Sequence, residues 1–153
     1  MSLAHYPLTA SIDRLNFEFY SDGPRGRIKK IINYTKLEQY GVYNLGFGDL
    51  NERTGEIDDF VVSDNQDRDK VMGTVAQSIL DFLTKHPAEQ VVFTGSTPIR
   101  TRLYSMEISK RWNDVDKHVL VKGLTSEGWE PFQQNRGYKA ILVRQKNPTF
   151  KEE

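Results

Sequence analysis

The spacing of the apolar residues changes period between residues 63 and 67, and this change constrains the fold more than any other feature. Before it, Leu15, Phe17 and Phe19 alternate with polar residues, which is the two-residue period of a half-buried strand. After it, residues 67–85 carry apolar side chains every three to four positions, the period of an amphipathic helix. The sequence therefore predicts an α+β fold.

Turn signals and apolar runs divide the chain into nine predicted elements. A Gly-Pro turn within residues 22–26 joins the first two strands as a hairpin. The predicted order is β-β-β-β-α-β-α-β-β, a mixed and mostly antiparallel sheet with two main helices. A loop that bears Gly128, Trp129, Pro131 and Phe132 separates the last two strands. The elements are predicted at residues 15–20, 27–36, 43–47, 56–63, 67–85, 90–95, 98–112, 117–124 and 138–144.

Composition excludes several classes of protein. The chain has 153 residues, with 21 Lys and Arg, 21 Asp and Glu, and no Cys. The lack of Cys excludes disulfides, thiol catalysis and Cys-ligated zinc, and zero net charge gives no overall field toward nucleic acid or an anionic membrane. No apolar run approaches the roughly 20 residues of a membrane span. We therefore expect a cytoplasmic protein with one domain over residues 1–153, loosely ordered at residues 1–13 and 147–153.

The charges are balanced in number but not in placement. Residues 25–36 contain five cations and no anion, and residues 49–69 contain eight acids and two arginines. Such blocks indicate either a recognition surface or opposite charges that pair across neighbouring strands. The second interpretation is favoured because exposed charge runs are usually solvated. Nucleic acid is not an expected partner.

Residues 42–144 resemble the GNAT acetyltransferase superfamily in their predicted element order. In that family the first turn of the acyl-CoA-binding helix carries the pattern Q/R-x-x-G-x-G/A. Arg68 and Gly73 match it, and Val71 stands where the first glycine would be. A β-branched side chain there crowds the backbone amides that would hold phosphate. The resemblance implies that Arg68, Lys70 and Gly73 contact the pyrophosphate of acetyl-CoA.

The second predicted helix gives another partial match to the family. GNAT proteins often carry Leu-Tyr there, with the Tyr hydroxyl near the CoA sulfur, and Leu103 and Tyr104 occupy that place. The resemblance implies that Tyr104 is a general acid and that Asp58 or Asp59 is the base or amine anchor. The Asn that commonly precedes this motif is Thr97 here. Packing alone also explains a Tyr on an amphipathic helix, so both roles stay open.

Residues 95–104, with the sequence GSTPIRTRLY, are the most unusual stretch of the chain. Together with GDLN at residues 48–51, they resemble a family of small uncharacterised bacterial proteins that share G-S-T-x-x-R-T-R-L-Y and an upstream G-D-x-N. This resemblance supplies no activity.

The same stretch has a physical interpretation. Free N–H groups, two hydroxyls and two arginines at a helix start can hold a phosphate or a carboxylate. An acidic partner within the protein is the other interpretation, because cations oppose the dipole of a helix N-terminus. The residues predicted to bind an anion or a partner are Ser96, Thr97, Arg100, Arg102 and Trp129.

Two functions follow from these observations. The first is a non-catalytic GNAT-like module that recognises a small anionic ligand or a protein partner near the helix start at residues 95–104. The alternative is an acyl-CoA-dependent N-acyltransferase with a degenerate pyrophosphate loop. Loss of the phosphate cradle removes binding energy on which catalysis depends, which favours the first. The three His residues fall in separate segments, so no metal is expected. Homo-oligomerisation stays open.

Overall fold

The computed structural model describes residues 4–51, 53–55, 57–58, 65–94 and 98–146. Within these residues, helices accompany strands that pair mostly antiparallel, which confirms the predicted α+β class. The elements in chain order are β1 (Thr9–Ala10), β2 (Asn16–Gly23), β3 (Gly26–Lys36), β4 (Val42–Leu50), β5 (Ile57–Asp58), α1 (Arg68–Lys85), β6 (Gln90–Phe93), α2 (Pro98–Lys110), α3 (Trp112–His118), β7 (Val119–Thr125), β8 (Gly128–Pro131) and β9 (Ile141–Gln145).

The chain falls into two compact units. The N-terminal unit comprises Ser2–Thr35 and Leu45–Lys85, and the C-terminal unit comprises Lys36–Asn44 and His86–Glu153. Strand β4 therefore contributes its first three residues to the C-terminal unit and the others to the N-terminal unit. The expectation of one domain over residues 1–153 stays a prediction beside this division.

The N-terminal unit is a meander with one helix. Strands β2 and β3 pair antiparallel as the predicted hairpin, and β1 pairs with the other edge of β2. Alternate residues of these strands, including Phe17, Phe19 and Ile32, are buried, as the two-residue period predicts. Helix α1 packs against Tyr34 through Phe82, and the two ring centroids are 4.4 Å apart.

The C-terminal unit has β6 near its centre. Residues 42–44 of β4 pair with β6 in parallel, β9 pairs with β6 antiparallel, and β7 lies between β9 and β8. Val91 of β6 and Ile141 of β9 are fully buried, as is typical of strands near the centre of a sheet.

Several predicted boundaries are wrong in the C-terminal unit. Part of the loop predicted between the last two strands is strand β8 (Gly128–Pro131), because a tight turn at residues 125–128 folds the chain back on β7. The second helix ends at Lys110, and the separate helix α3 takes the first two residues of the strand predicted at 117–124. Strand β9 begins at Ile141 rather than at residue 138.

The predicted fourth strand lies only partly within the described residues. Ile57–Asp58 forms β5, which pairs antiparallel with Asp49 and Leu50 of β4. The remainder of the prediction, at residues 56 and 59–63, lies outside the described residues.

Part of the segment 1–13, for which loose order is predicted, is packed against the rest of the N-terminal unit. Tyr6 is buried, its backbone N–H donates to Thr74 Oγ1 at 2.8 Å, and its ring stacks on Phe19. Strand β1 then adds to the edge of β2. Among the described residues, no helix is long and apolar enough to cross a bilayer.

Charge pairing across strands accounts for part of the basic run at residues 25–36. Lys30 and Asp49, from neighbouring strands of the N-terminal unit, form a nearly buried ion pair, and Lys29 lies 3.3 Å from a carboxylate oxygen of Glu18. These pairs support the interpretation that neighbouring strands neutralise one another.

Candidate functional site

An open pocket of about 430 Å³ lies within the C-terminal unit, beside the start of α2. Three segments line it: the first turn of α2, the end of β7 with the turn that follows, and residues 136–139 before β9. Its lining residues are Pro98, Ile99, Arg102, Leu124, Thr125, Ser126, Arg136, Gly137, Tyr138 and Lys139.

The first turn of α2 supplies one wall. Pro98 is the first helical residue, where its fixed φ suits a helix and its missing N–H is not needed. Residues three and four positions apart share a helix face, so Ile99 and Arg102 lie together beside Pro98. The wall is therefore apolar with a guanidinium at its edge.

The turn between β7 and β8 supplies the second wall. The Thr125 hydroxyl donates to the Gly128 carbonyl at 3.0 Å and accepts from the Glu127 N–H at 3.1 Å. Gly128 has φ of 122°, a conformation that strongly favours glycine, so a two-residue turn can close here. This turn holds Leu124 and Ser126 at the pocket.

Tyr138 is packed face-on against Gly123 of β7. A Cβ atom at position 123 would lie 2.3 Å from the Tyr138 ring, which is closer than real carbon contacts allow. Backbone hydrogen bonds between Leu124 and residues 139 and 140, each 2.9 Å long, fix the segment that carries the ring. The absence of a side chain at Gly123 therefore sets the position of the pocket's third wall.

The Tyr138 hydroxyl both donates and accepts a hydrogen bond within the protein. It donates to Glu130 Oε2 at 2.6 Å and accepts from the Gln133 N–H at 3.0 Å. Burial, followed by the hydrogen bond to Glu130, raises the pKa of the Tyr138 phenol. Arg136 Nη1 lies 3.2 Å from the same Glu130 oxygen. Tyr138 is therefore protonated at neutral pH and positions Glu130 rather than offering a proton to a ligand.

The charged side chains that line the pocket are all positive. Three of its lining residues, Arg102, Arg136 and Lys139, are cationic, and none of the described lining residues is acidic. Glu130 neutralises Arg136 from outside the lining. Neither Arg102 nor Lys139 forms an ion pair with a described residue, and both are exposed. Arg102 also lies against the backbone at Gly137, since a Cβ there would be 3.8 Å from Arg102 Nε.

The structure separates the two arginines that the sequence placed in one site. Arg102 lines the pocket, whereas Arg100 is half-buried and is not among the lining residues. Residues two apart on a helix point in directions about 200° apart, which explains the separation. Ser96 and Thr97 lie outside the described residues. Trp129 is 44% exposed on β8, opposite Leu124, and does not line the pocket.

The residues predicted for acyl transfer belong to both units. Tyr104 lies on α2 of the C-terminal unit, with its ring in an edge-to-face contact with Phe93 at 5.9 Å between centroids. Asp58 belongs to β5 of the N-terminal unit, and its side chain, like the whole of Asp59, lies outside the described residues. Their predicted roles stay predictions.

The predicted pyrophosphate residues lie on α1. Arg68 and Lys70 are exposed, whereas Gly73 is buried within the helix. The Lys70 ammonium lies 4.4 Å from the centroid of the Tyr6 ring. Their cofactor role stays a prediction.

A carboxylate stands at the start of α1. Asp67 directly precedes the helix, and it accepts hydrogen bonds from the hydroxyls of Tyr6 at 2.6 Å and Ser21 at 2.5 Å. A carboxylate at the positive end of a helix stabilises the helix and opposes the approach of a phosphate.

Metal chemistry has no candidate in the described part of the chain. No group of three or more His, Asp or Glu side chains there is arranged to hold a metal ion.

Two cations of the pocket, Arg136 and Lys139, are not predicted from the sequence. They flank Gly137 and Tyr138 in a polar stretch without a regular period. Cations on both sides of a glycine are only a weak indication of a binding site. The pairing of β7 with β9 brings this segment beside the first turn of α2.

Fold and site together define an α+β protein with a cation-lined pocket. A family model matches residues 2–146, and the chain belongs to that family, DUF6934, a family of unknown function. Comparison with the curated proteins and with the solved structures found no match.

Proposed function

We propose that the protein is a non-catalytic module that binds a small organic anion in the pocket at the start of α2. The observation that carries this proposal is the pair Arg102 and Lys139, which face the pocket without an ion pair to any described residue. Cations that share an open pocket without an acid repel one another, and a bound phosphate or carboxylate relieves that repulsion.

The apolar residues of the pocket indicate the rest of the ligand. Pro98, Ile99 and Leu124 offer carbon surface between the cations. Ligand sites commonly combine such surface with a few polar groups that fix orientation. We therefore expect an anionic group carried on an apolar body to bind more tightly than inorganic phosphate.

Phenyl phosphate is a suitable probe, with inorganic phosphate and benzyl alcohol as comparisons. Calorimetric titration of the full chain should give a Kd for phenyl phosphate below about 1 mM and weaker binding for the other two. Arg102→Gln and Lys139→Gln should each weaken the binding by about tenfold or more, because a charged hydrogen bond is lost. Lys117→Gln removes an exposed lysine of α3 that does not line the pocket, and it should change nothing.

Two results would contradict the proposal. One is no measurable heat with phenyl phosphate at millimolar concentration. The other is equal affinity in Lys139→Gln and wild type, since the cations then do not contribute to binding. Circular dichroism of each variant checks that the fold is retained.

Acyl transfer from acetyl-CoA is the alternative. Tyr6 and Ser21 donate hydrogen bonds to the carboxylate of Asp67, which precedes the helix that the GNAT resemblance assigns to pyrophosphate binding, and this supports the binding module over the acyltransferase. Acetyl-CoA also carries phosphates, so its binding alone does not discriminate. Binding that survives Lys139→Gln but is lost in Arg68→Gln would support the acyltransferase instead.

A further inference from the structure

Helix α2 fully buries two small polar side chains and exposes two large apolar ones, while Leu103, Tyr104 and Ile108 are half-buried. Its buried residues are Thr101 and Ser105, whereas Ile99 is 72% exposed and Met106 is 57% exposed. An amphipathic helix in a globular unit normally shows the opposite arrangement. The inversion leaves a substantial apolar surface facing solvent.

The exposed residues of α2 lie on one side. At 100° per residue, Ile99, Met106 and Lys110 fall within about 40° of one another, and Arg102 lies about 60° to one side. Isolated exposed apolar residues are ordinary, but two of them aligned over two helical turns form a stripe that can contact a partner. We call Ile99, Arg102, Met106 and Lys110 the outer face of α2.

The outer face is cationic as well as apolar. Arg102 is exposed, and the Lys110 side chain is 60% exposed. The nearest acid on the helix, Glu107, has a side chain only 12% exposed, and it pairs with Arg111 and lies 3.9 Å from Lys110. A partner that meets this face therefore meets apolar groups between positive charges.

We propose that the outer face of α2 binds an acidic amphipathic helix of another protein. Apolar anchors of that helix would cover Ile99 and Met106, and its Asp or Glu side chains would meet Arg102 and Lys110. Helices commonly recognise one another in this way, through anchors on one face, and Met adapts to anchors of varied shape. Charge complementarity sets the acidic character of the partner.

A second copy of this chain fits the face less well. In a symmetric dimer the same patch meets itself, which would bring the cations of one outer face against those of the other. Like charges across an interface oppose association. The outer face shares Ile99 and Arg102 with the pocket, but Met106 and Lys110 lie outside the pocket, so substitutions at those two residues test the docking proposal separately.

Selection of 20-residue peptides from a random display library on the immobilised full chain tests the proposal. The enriched peptides should be acidic. Their apolar residues should recur at intervals of three, four or seven positions, as on one face of a helix. Fluorescence anisotropy should then show that Met106→Glu weakens the best peptide by about tenfold or more, as for a residue central to an interface. Lys110→Glu should weaken it by a smaller factor.

Two controls separate this face from other surfaces. Ile12→Glu introduces the same charge at an apolar residue that is 88% exposed in the N-terminal unit, and it should leave peptide affinity unchanged. Lys139→Gln should weaken phenyl phosphate but not the peptide. The two proposals can therefore fail separately.

Three outcomes would overturn the docking proposal. They are the enrichment of no peptides or of peptides without acidic residues, equal affinity in Met106→Glu and wild type, and sedimentation showing a dimer that Met106→Glu dissociates. The last result would assign the face to a second copy of the chain.

Discussion

Two sites, one in each unit, use their polar side chains in opposite ways. In the N-terminal unit, Asn65 is 1% exposed and its side chain accepts from the Arg25 N–H at 2.7 Å and donates to the Gly26 carbonyl at 2.9 Å. In the C-terminal unit, Arg102 and Lys139 face an open pocket without an ion pair to a described residue.

Under the proposed function, this difference separates the residues that stabilise the fold from those that bind a ligand. Buried polar groups that hydrogen-bond one another specify one packing, because leaving any of them unpaired is costly. Exposed cations around a pocket contribute little to stability but are ready to bind an anion. We therefore expect substitutions in the first network to affect folding, and those around the pocket to affect binding.

The largest effect is expected at Asn65. Asn65→Ala removes the groups that pair with the backbone of the β2–β3 turn and with Ser21 Oγ, so the free energy of unfolding should fall by roughly 2–4 kcal/mol. Urea denaturation followed by circular dichroism measures this change. Asn16→Ala, at an exposed site of the same unit, is the control and should differ from wild type by less than about 0.5 kcal/mol. A similar loss of stability in both variants would show that the hydrogen bonds of the Asn65 side chain do not stabilise the N-terminal unit.

The next largest effect is expected at Gly123 in the C-terminal unit. Gly123→Ala places a methyl group 2.3 Å from the Tyr138 ring, so the ring must move, and we expect a loss of roughly 1–3 kcal/mol together with weaker binding of phenyl phosphate. Gly137→Ala is the matched control for stability, because its new contact with Arg102 would be an ordinary 3.8 Å. Equal losses of stability in the two variants would show that the close approach at Gly123 does not constrain the Tyr138 ring.

Alkaline pH should affect both units through buried phenols. Burial raises the pKa of Tyr34 and of Tyr138 above the ordinary value near 10. The unfolded chain loses these protons first, so the contribution of these two phenols to stability is constant below about pH 10 and falls as the pH rises further. Tyr34→Phe and Tyr138→Phe should each reduce this slope, because each removes a phenol that stays protonated to higher pH in the folded chain than in the unfolded chain. Unfolding measured from pH 8 to 11 tests this, and equal slopes in all three proteins would refute it.

The smallest effect is expected at Trp129. Its side chain is 44% exposed on β8 and does not line the pocket, so Trp129→Ala should change stability by less than about 1 kcal/mol and leave the affinity for phenyl phosphate unchanged. Phe132→Ala, at the buried ring that stacks on Trp112, should be several times more destabilising. Loss of phenyl phosphate binding in Trp129→Ala would restore this residue to the site predicted from sequence.

Part of the candidate site could be predicted from the sequence. Pro98 and the apolar run before it indicate a helix after a buried strand, and Arg102 follows within that helix's first two turns. Arg136 and Lys139 could not be placed, because they lie in an irregular segment more than 30 residues away. Strand β8 was missed for a similar reason: Gly128 and Pro131 resemble a loop until the turn at residues 125–128 is seen to close.

Local chemistry alone determined the α+β class, the β2–β3 hairpin and the two long helices, because period and turn residues act over a few positions. Tertiary structure decided which charges are paired and which face solvent. Lys30 and Lys139 look alike in the sequence, yet one is nearly buried in an ion pair with Asp49 and the other faces a pocket. The free energy of a charge depends on its burial and on neighbours that come from distant parts of the chain, and no local pattern contains that information.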